Sequence, residues 1–290
     1  MSDVQLVHHA QNLHGEGVLW NPADGAVWWT DIFGERLWRH IPATGHTESF
    51  VTPGKLCCFA PRKTGGLVAA FSDRLATYDP ATGAEETIAP FEPDNPHTRL
   101  NDGRTDRQGR LIAGGMNEGT GEADSTVVRL DPDGTVTTII TGVTCANSTC
   151  FSKNGRTMFF ADTPQKTIRA YDYNLAMGAV SGERVHADMT GEPGLPDGSC
   201  VDEDGGVWNA EWEGRRVVRI APDGAIDRVI DVPVWKPTCC AFGGDDLATL
   251  YITTSRLGTD EAALANEPLA GALLAVRPGV RGLEDTPFAG

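Results

Sequence analysis

One repeated unit constrains this chain more than any other feature. Turn-forming glycines recur in similar surroundings at Gly25, Gly65, Gly109, Gly155 and Gly205, and Asp245-Asp246 takes the same place in a sixth unit. The steps between the glycines are 40, 44, 46 and 50 residues. A second turn follows each of the five, at Pro42 to Gly45, Asp79 to Gly83, Asp131 to Gly134, Tyr173 to Gly178 and Ala221 to Gly224. Between the turns lie short runs rich in aromatic and β-branched residues, such as Ala26-Val27-Trp28-Trp29 and Thr249-Leu250-Tyr251-Ile252-Thr253, which read as strands. Each unit is thus two hairpins. Six four-stranded units at this period predict an all-β, six-bladed β-propeller. The sixth unit has three evident strands and no good fourth in the tail from Arg277 to Gly290, whereas Val4 to Ala10 forms a strand ahead of the first unit. The N-terminal strand is therefore expected to complete the last blade and close the ring. No composition shift divides the chain, so residues 1–290 read as a single domain.

Composition excludes several function classes. With 40 acidic against 24 basic residues the formal charge is −16, which argues against a nucleic-acid partner. No apolar run reaches membrane-spanning length, and Met1-Ser2-Asp3-Val4 lacks the basic start and apolar core of a leader, so no membrane partner and a cytoplasmic protein are expected. The seven cysteines include the adjacent pairs Cys57-Cys58 and Cys239-Cys240, whose neighbours are apolar. They read as reduced structural thiols rather than zinc ligands or nucleophiles. Oligomeric state is not legible.

The phase of the repeat points to a site. Counting back eight residues from Gly109, Gly155 and Gly205, and nine from Gly25, reaches Asn101, Asn147, Asp197 and Glu16. Cys57 and Thr238 hold the same phase in units two and six. First strands line a propeller's channel, so these side chains converge on its axis. Arg99, the link from Gly191 to Pro196, and the long loops Gly115 to Thr126 and Ser255 to Leu269 fall at the same end. Carboxylates and amide oxygens at that density repel one another unless a cation joins them, and they suit calcium, magnesium or manganese and tolerate zinc. The seven histidines lack an accompanying Ser or Asp set and read as structural. Trp28, Trp29, Trp208 and Trp212 read as blade packing, with Trp212 able to reach the rim.

The motifs Leu13-His14-Gly15-Glu16-Gly17-Val18-Leu19-Trp20, Arg99-Leu100-Asn101-Asp102-Gly103, Gly114-Gly115-Met116, Asn147 ahead of Phe151-Ser152-Lys153-Asn154-Gly155, Pro196-Asp197-Gly198, and Thr238 to Gly244 come in order along nearly the whole chain. Together they resemble the gluconolactonase and senescence-marker-protein (regucalcin) family. That resemblance implies a six-bladed propeller holding one divalent metal and hydrolysing sugar lactones. Carried over residue by residue, it makes Glu16, Asn147 and Asp197 metal ligands and Arg99 and Asn101 substrate contacts. The family often has Gly-Thr-Met where this chain has Gly114-Gly115-Met116, with an acidic substrate contact soon after. Glu118 is the nearest acidic residue, with Gly119 the other occupant of that position. In such a site the metal polarises the lactone carbonyl, and Asp197 takes a proton from water as general base. Two other classes stay open at this stage, a calcium-dependent organophosphate or arylester hydrolase and a non-catalytic calcium-binding regulatory protein.

Overall fold

The computed structural model describes residues 4–290; Met1 to Asp3, part of the segment read as lacking a leader, lie outside the described residues. Six four-stranded antiparallel sheets follow one another, as the repeat predicts. Their innermost strands are Gly15–Asn21, Leu56–Pro61, Thr98–Thr105, Ala146–Phe151, Leu195–Val201 and Pro237–Gly243, which begin blades 1 to 6 in that order. These six strands pack side by side in a closed ring around the axis. The last blade takes its outermost strand, Gln5–His8, from the N-terminus, where it pairs with Leu273–Val276. Closure is therefore as the sequence predicts. Among the described residues no helix is long and apolar enough to cross a membrane.

Local chemistry explains the blades. Gly109 (φ +82°) and Gly205 (φ +87°) adopt left-handed backbone, which favours glycine, in tight turns whose amides the carboxylates of Asp106 and Asp202 gather. Each carboxylate also holds an arginine of its own blade, Arg110 at 2.6 Å and Arg219 at 2.6 Å. A sheet with two apolar faces must cover both, and here every blade uses its two neighbours. The core is accordingly six wedges between consecutive blades. Leu19, Trp28 and Leu37 of blade 1 meet Leu56, Phe59 and Phe71 of blade 2 in one of them. Val18 and Trp29 of blade 1 meet Tyr251 and Leu273 of blade 6 in the wedge that joins the two ends of the ring.

The tail after Arg277 forms no blade strand but runs across the face opposite the expected site. It bridges at Gly282 to Asp202 and at Phe288 to Arg62, and Asp285 enters the channel to pair with Arg104 at 2.5 Å. The channel above it is almost solid, with voids of only about 10 and 20 Å³. At most a water or so fits there, so the channel is not a passage.

The closing wedge should carry more stability than the exposed rim of the closing strand. Trp29 is fully buried and donates its indole N–H to Asn12 Oδ1 at 2.8 Å, whereas Leu6 is 48% exposed. Trp29→Ala is expected to cost about 3–5 kcal/mol in urea unfolding, and Leu6→Ala less than about 0.5 kcal/mol. Equal losses would show that strand pairing, not the wedge, holds the ring shut.

Candidate active site on the propeller axis

Every innermost strand breaks its pairing register at the same place. The irregularities lie between Glu16 and Leu19, Leu56 and Cys58, Leu100 and Asp102, Asn147 and Cys150, Pro196 and Ser199, and Pro237 and Cys240. A bulge bends its strand and re-aims a side chain. Cys57, Asn101, Asp197 and Thr238 fall within these irregularities, and Glu16 and Asn147 are the last paired residues before theirs. Two of the bulges need left-handed backbone, at Gly17 (φ +57°) and Ser148 (φ +59°).

Above the bulges opens a cavity of about 410 Å³, and Glu16, Arg99, Asn101, Glu118, Asn147 and Asp197 all line it. All six candidate residues thus share one pocket. A belt of polar contacts connects most of them across blades 3 to 5. Glu118 forms an ion pair with Arg99 Nε at 2.8 Å, and Arg99 Nη1 donates to Asn101 Oδ1 at 2.9 Å. Asn101 Nδ2 donates to the Ala146 carbonyl at 3.0 Å and lies 3.5 Å from Asn147 Oδ1. Asn147 Nδ2 donates to Thr163 Oγ1 at 2.8 Å, and that hydroxyl donates to the Pro196 carbonyl, next to Asp197. The Asp197 carbonyl is itself fixed by Ser148 Oγ at 2.7 Å and Asn209 Nδ2 at 2.9 Å.

This belt sorts the oxygens. Asn101 spends its side-chain oxygen on Arg99 and turns its amide N–H groups toward blade 4, so it is a donor to the centre. Asn147 has its nitrogen anchored by Thr163, which leaves its oxygen facing inward. The oxygens directed at the axis are therefore those of Glu16, Asn147 and Asp197, a hard set suited to one divalent cation. Among the described residues no three His, Cys, Asp or Glu side chains group into a metal cluster. The candidate set differs in combining two carboxylates with an amide.

Most of the chain matches one family model. The model of the SMP-30/gluconolactonase/LRE-like region matches residues 14–256. The chain belongs to this family. An L-arabinolactonase of Azospirillum brasilense is 37% identical over 98% of this chain and 95% of its own length. A pentonolactonase of Haloferax volcanii is 38% identical over 83% of this chain and 81% of its own. The crystal structure of a calcium-binding regucalcin from Agrobacterium tumefaciens superposes with a TM-score of 0.95 at 30% identity, covering 99% of this chain and 97% of that one.

In this member of the family the electrostatics at the axis are unfavourable without a cation. Burial first, and the Asp102 carboxylate second, push the Glu16 carboxyl up to about 8. Burial, then Glu16, then Asp102 hold Asp197 well above the usual carboxylate range. Asp102, which the phase argument passed over, lies deeper in the channel and accepts from the Thr149 amide at 2.9 Å. Burial also raises the Cys145 thiol to about 12, so it is a poor nucleophile.

Some readings need correction. The segment Gly115–Thr126 is not all loop, because Leu111–Asn117 and Ser125–Leu130 are strands; only 118–124 connects them. Asn117 Oδ1 gathers the Gly119, Thr120 and Gly121 amides of that turn. The loop from Ser255 contains a helical turn, Glu261–Leu264. Cys145 is only half-buried and lines the pocket, unlike the other six thiols. Neither Cys57 nor Thr238 widens the channel, since both are buried, Thr238 donating to the Gly15 carbonyl at 2.5 Å. His14, read as structural, lines the pocket 3.9 Å from Glu16 and meets Ser255, a partner 241 residues away that no local pattern could reveal.

A carboxyl with its folded pKa above the unfolded value adds stability at low pH that is lost as pH rises between the two. For Glu16 that window runs from 4.5 to about 8. Kept in chelator, the protein should melt at progressively lower temperature from about pH 5 to about pH 8, and Glu16→Gln should flatten the slope. A wild-type profile as flat as that of the variant would refute the buried-charge account.

Proposed function

We propose that this protein is a sugar lactonase that opens an aldonolactone to its aldonic acid with the help of one divalent cation. The observation that carries this reading is the pairing of two buried, mutually repelling carboxylates with a row of fixed donors along one side of a small pocket. The lactonase names of full-length relatives support the substrate class. The calcium-binding regucalcin neighbour supports a divalent ion.

Glu16, Asn147 and Asp197 would hold the cation, whether calcium, zinc, manganese or magnesium. When bound, it supplies Lewis-acid polarisation of the lactone carbonyl and offsets the negative charge that grows on the carbonyl oxygen. Asp197 takes the proton from the water that attacks the carbonyl carbon. As the bond from that carbon to the ring oxygen breaks, Asp197 returns the proton to the departing alkoxide. Arg99 and Asn101, held rigid by the belt, donate to hydroxyl or ring oxygens, and Glu118 accepts from a ring hydroxyl. Their fixed positions lower the entropic cost of orienting a flexible polar substrate.

Proton release from a panel of aldonolactones, with and without chelator, tests the reading. Chelation should abolish turnover and added divalent cation restore it. Asp197→Ala should lower kcat by about a thousandfold while circular dichroism stays native. Activity within about tenfold of wild type in that variant would remove Asp197 from the chemistry.

A further inference from the structure

The two ends of the pocket differ in chemistry. Its floor comes from the innermost strands and is polar. Its mouth comes mainly from the loops between second and third strands, which contribute Phe33 of blade 1, Pro164 of blade 4 and Leu257 of blade 6, and from Trp212 at the end of the second strand of blade 5. Leu195, at the start of the innermost strand of blade 5, adds to this side. The polar exception at the mouth is Glu118 of blade 3, held by Arg99 and lying 4.0 Å from Lys55. In a ring of six, blade 3 faces blade 6, and blade 2 faces blade 5. The Trp212–Leu257 arc therefore stands across the pocket from the charged sector.

The arc has one acceptor. Ser255 Oγ lies 2.9 Å from His14 Nδ1, 3.0 Å from the Leu13 carbonyl and 3.0 Å from the Leu257 amide. One assignment makes all three contacts hydrogen bonds. Ser255 donates to Leu13, accepts from Leu257 and accepts from His14 Nδ1–H. His14 is then the tautomer whose Nε2 carries a lone pair; the residue lines the pocket, and its Nε2 lies 3.9 Å from Glu16 Oε1. Its ring is set edge-on to Trp212, 5.5 Å between centroids, and 5.8 Å from Phe33. Leu257 is pinned as well. Lys236 Nζ donates to its carbonyl at 2.6 Å from beneath the ring of Trp212 and is itself buried.

From this asymmetry we propose that the preferred substrate is an aldonolactone whose exocyclic arm carries a single hydroxyl and ends apolar or short, with His14 and Leu257 as the residues that select it. The inference rests on the lactonase reading and fixes the orientation of the ring. With the acyl carbon over Glu16, Asn147 and Asp197, and the hydroxyls beside it turned to Asn101 and Glu118, the carbon bearing the arm points across to blades 5 and 6. There His14 Nε2 accepts one hydroxyl. Beyond it, Pro164, Leu195 and Leu257 bring no hydrogen-bonding side chain and Trp212 only an indole N–H, while Phe33 lies toward the charged sector, with Lys55 Nζ 4.7 Å from its ring. A terminal methyl is buried favourably at that place, a second hydroxyl loses its water for little return, and a carboxylate loses far more.

The test uses 1,4-lactones that share a ring and differ only in the arm. L-arabinono-, D-fucono-, D-galactono- and D-galactaro-lactone carry CH2OH, CH(OH)CH3, CH(OH)CH2OH and CH(OH)COO− respectively. The corresponding xylono, 6-deoxyglucono, glucono and glucaro set covers the other common ring. In the series turned over faster, kcat/KM for the 6-deoxy and five-carbon lactones should exceed that for the hexonolactone by about tenfold to a hundredfold, with the aldarolactone lowest. Leu257→Gln should bring the ratio of 6-deoxy to hexono substrate close to one. His14→Phe should raise KM for the five-carbon lactone far more than for its 5-deoxy analogue, whose arm is a bare methyl. A hexonolactone used as well as its 6-deoxy partner by the wild type overturns the proposal whatever the variants do, as does an unchanged ratio in folded Leu257→Gln. Hydrolysis of no lactone in either series overturns the lactonase reading itself, a distinct outcome.

Discussion

Two carboxylates buried side by side on the axis of a closed ring set the terms for everything around them. Glu16 and Asp197 come from blades 1 and 5, and Asp102 adds a third negative charge below them. Such a group costs free energy in any fold that forms it, so the rest of the structure must over-determine the positions. The register break repeated on all six innermost strands accompanies an inward side chain in blades 1, 3, 4 and 5. The belt from Glu118 through Arg99, Asn101, Asn147 and Thr163 then fixes amide orientations that would otherwise be free to flip. The proposed cation would neutralise this set, and the hydrogen bonds that hold Asn147 also keep the neighbouring donors at fixed distance.

The scaffold supplies the necessary stiffness in a distributed way. No single core exists; six apolar wedges each join two consecutive blades, and the ring closes only when the wedge between blades 6 and 1 forms. On the face away from the site, the tail lays Asp285 against Arg104 and fills the channel. Among the described residues the pocket therefore opens on the side where the loops of the mouth stand.

Floor and mouth divide the labour. The floor is built from innermost strands whose positions the ring fixes. The mouth is built mainly from loops of unequal length, anchored by contacts such as Lys236 on the Leu257 carbonyl and Ser255 on His14. In the proposed lactonase, reaction chemistry and substrate choice are thus assigned to different parts of the ring.

The sequence by itself determined the blade count, the closing strand and the set Glu16, Asn101, Asn147 and Asp197, because a repeat of fixed period converts position along the chain into position around the axis. Cys57 and Thr238 share that phase yet point their polar atoms at nearby backbone, a choice set by individual hydrogen bonds. The sequence allowed Trp212 to reach the rim and put the loop holding Leu257 at that end, but His14 and Thr163 joined the pocket only in the tertiary structure. Their partners lie in other blades or on irregular loops, and Ser255 reaches His14 across nearly the whole chain. Period governs strands, which alternate regularly, but not the loops between them, whose paths follow from contacts that exist only once the ring is closed.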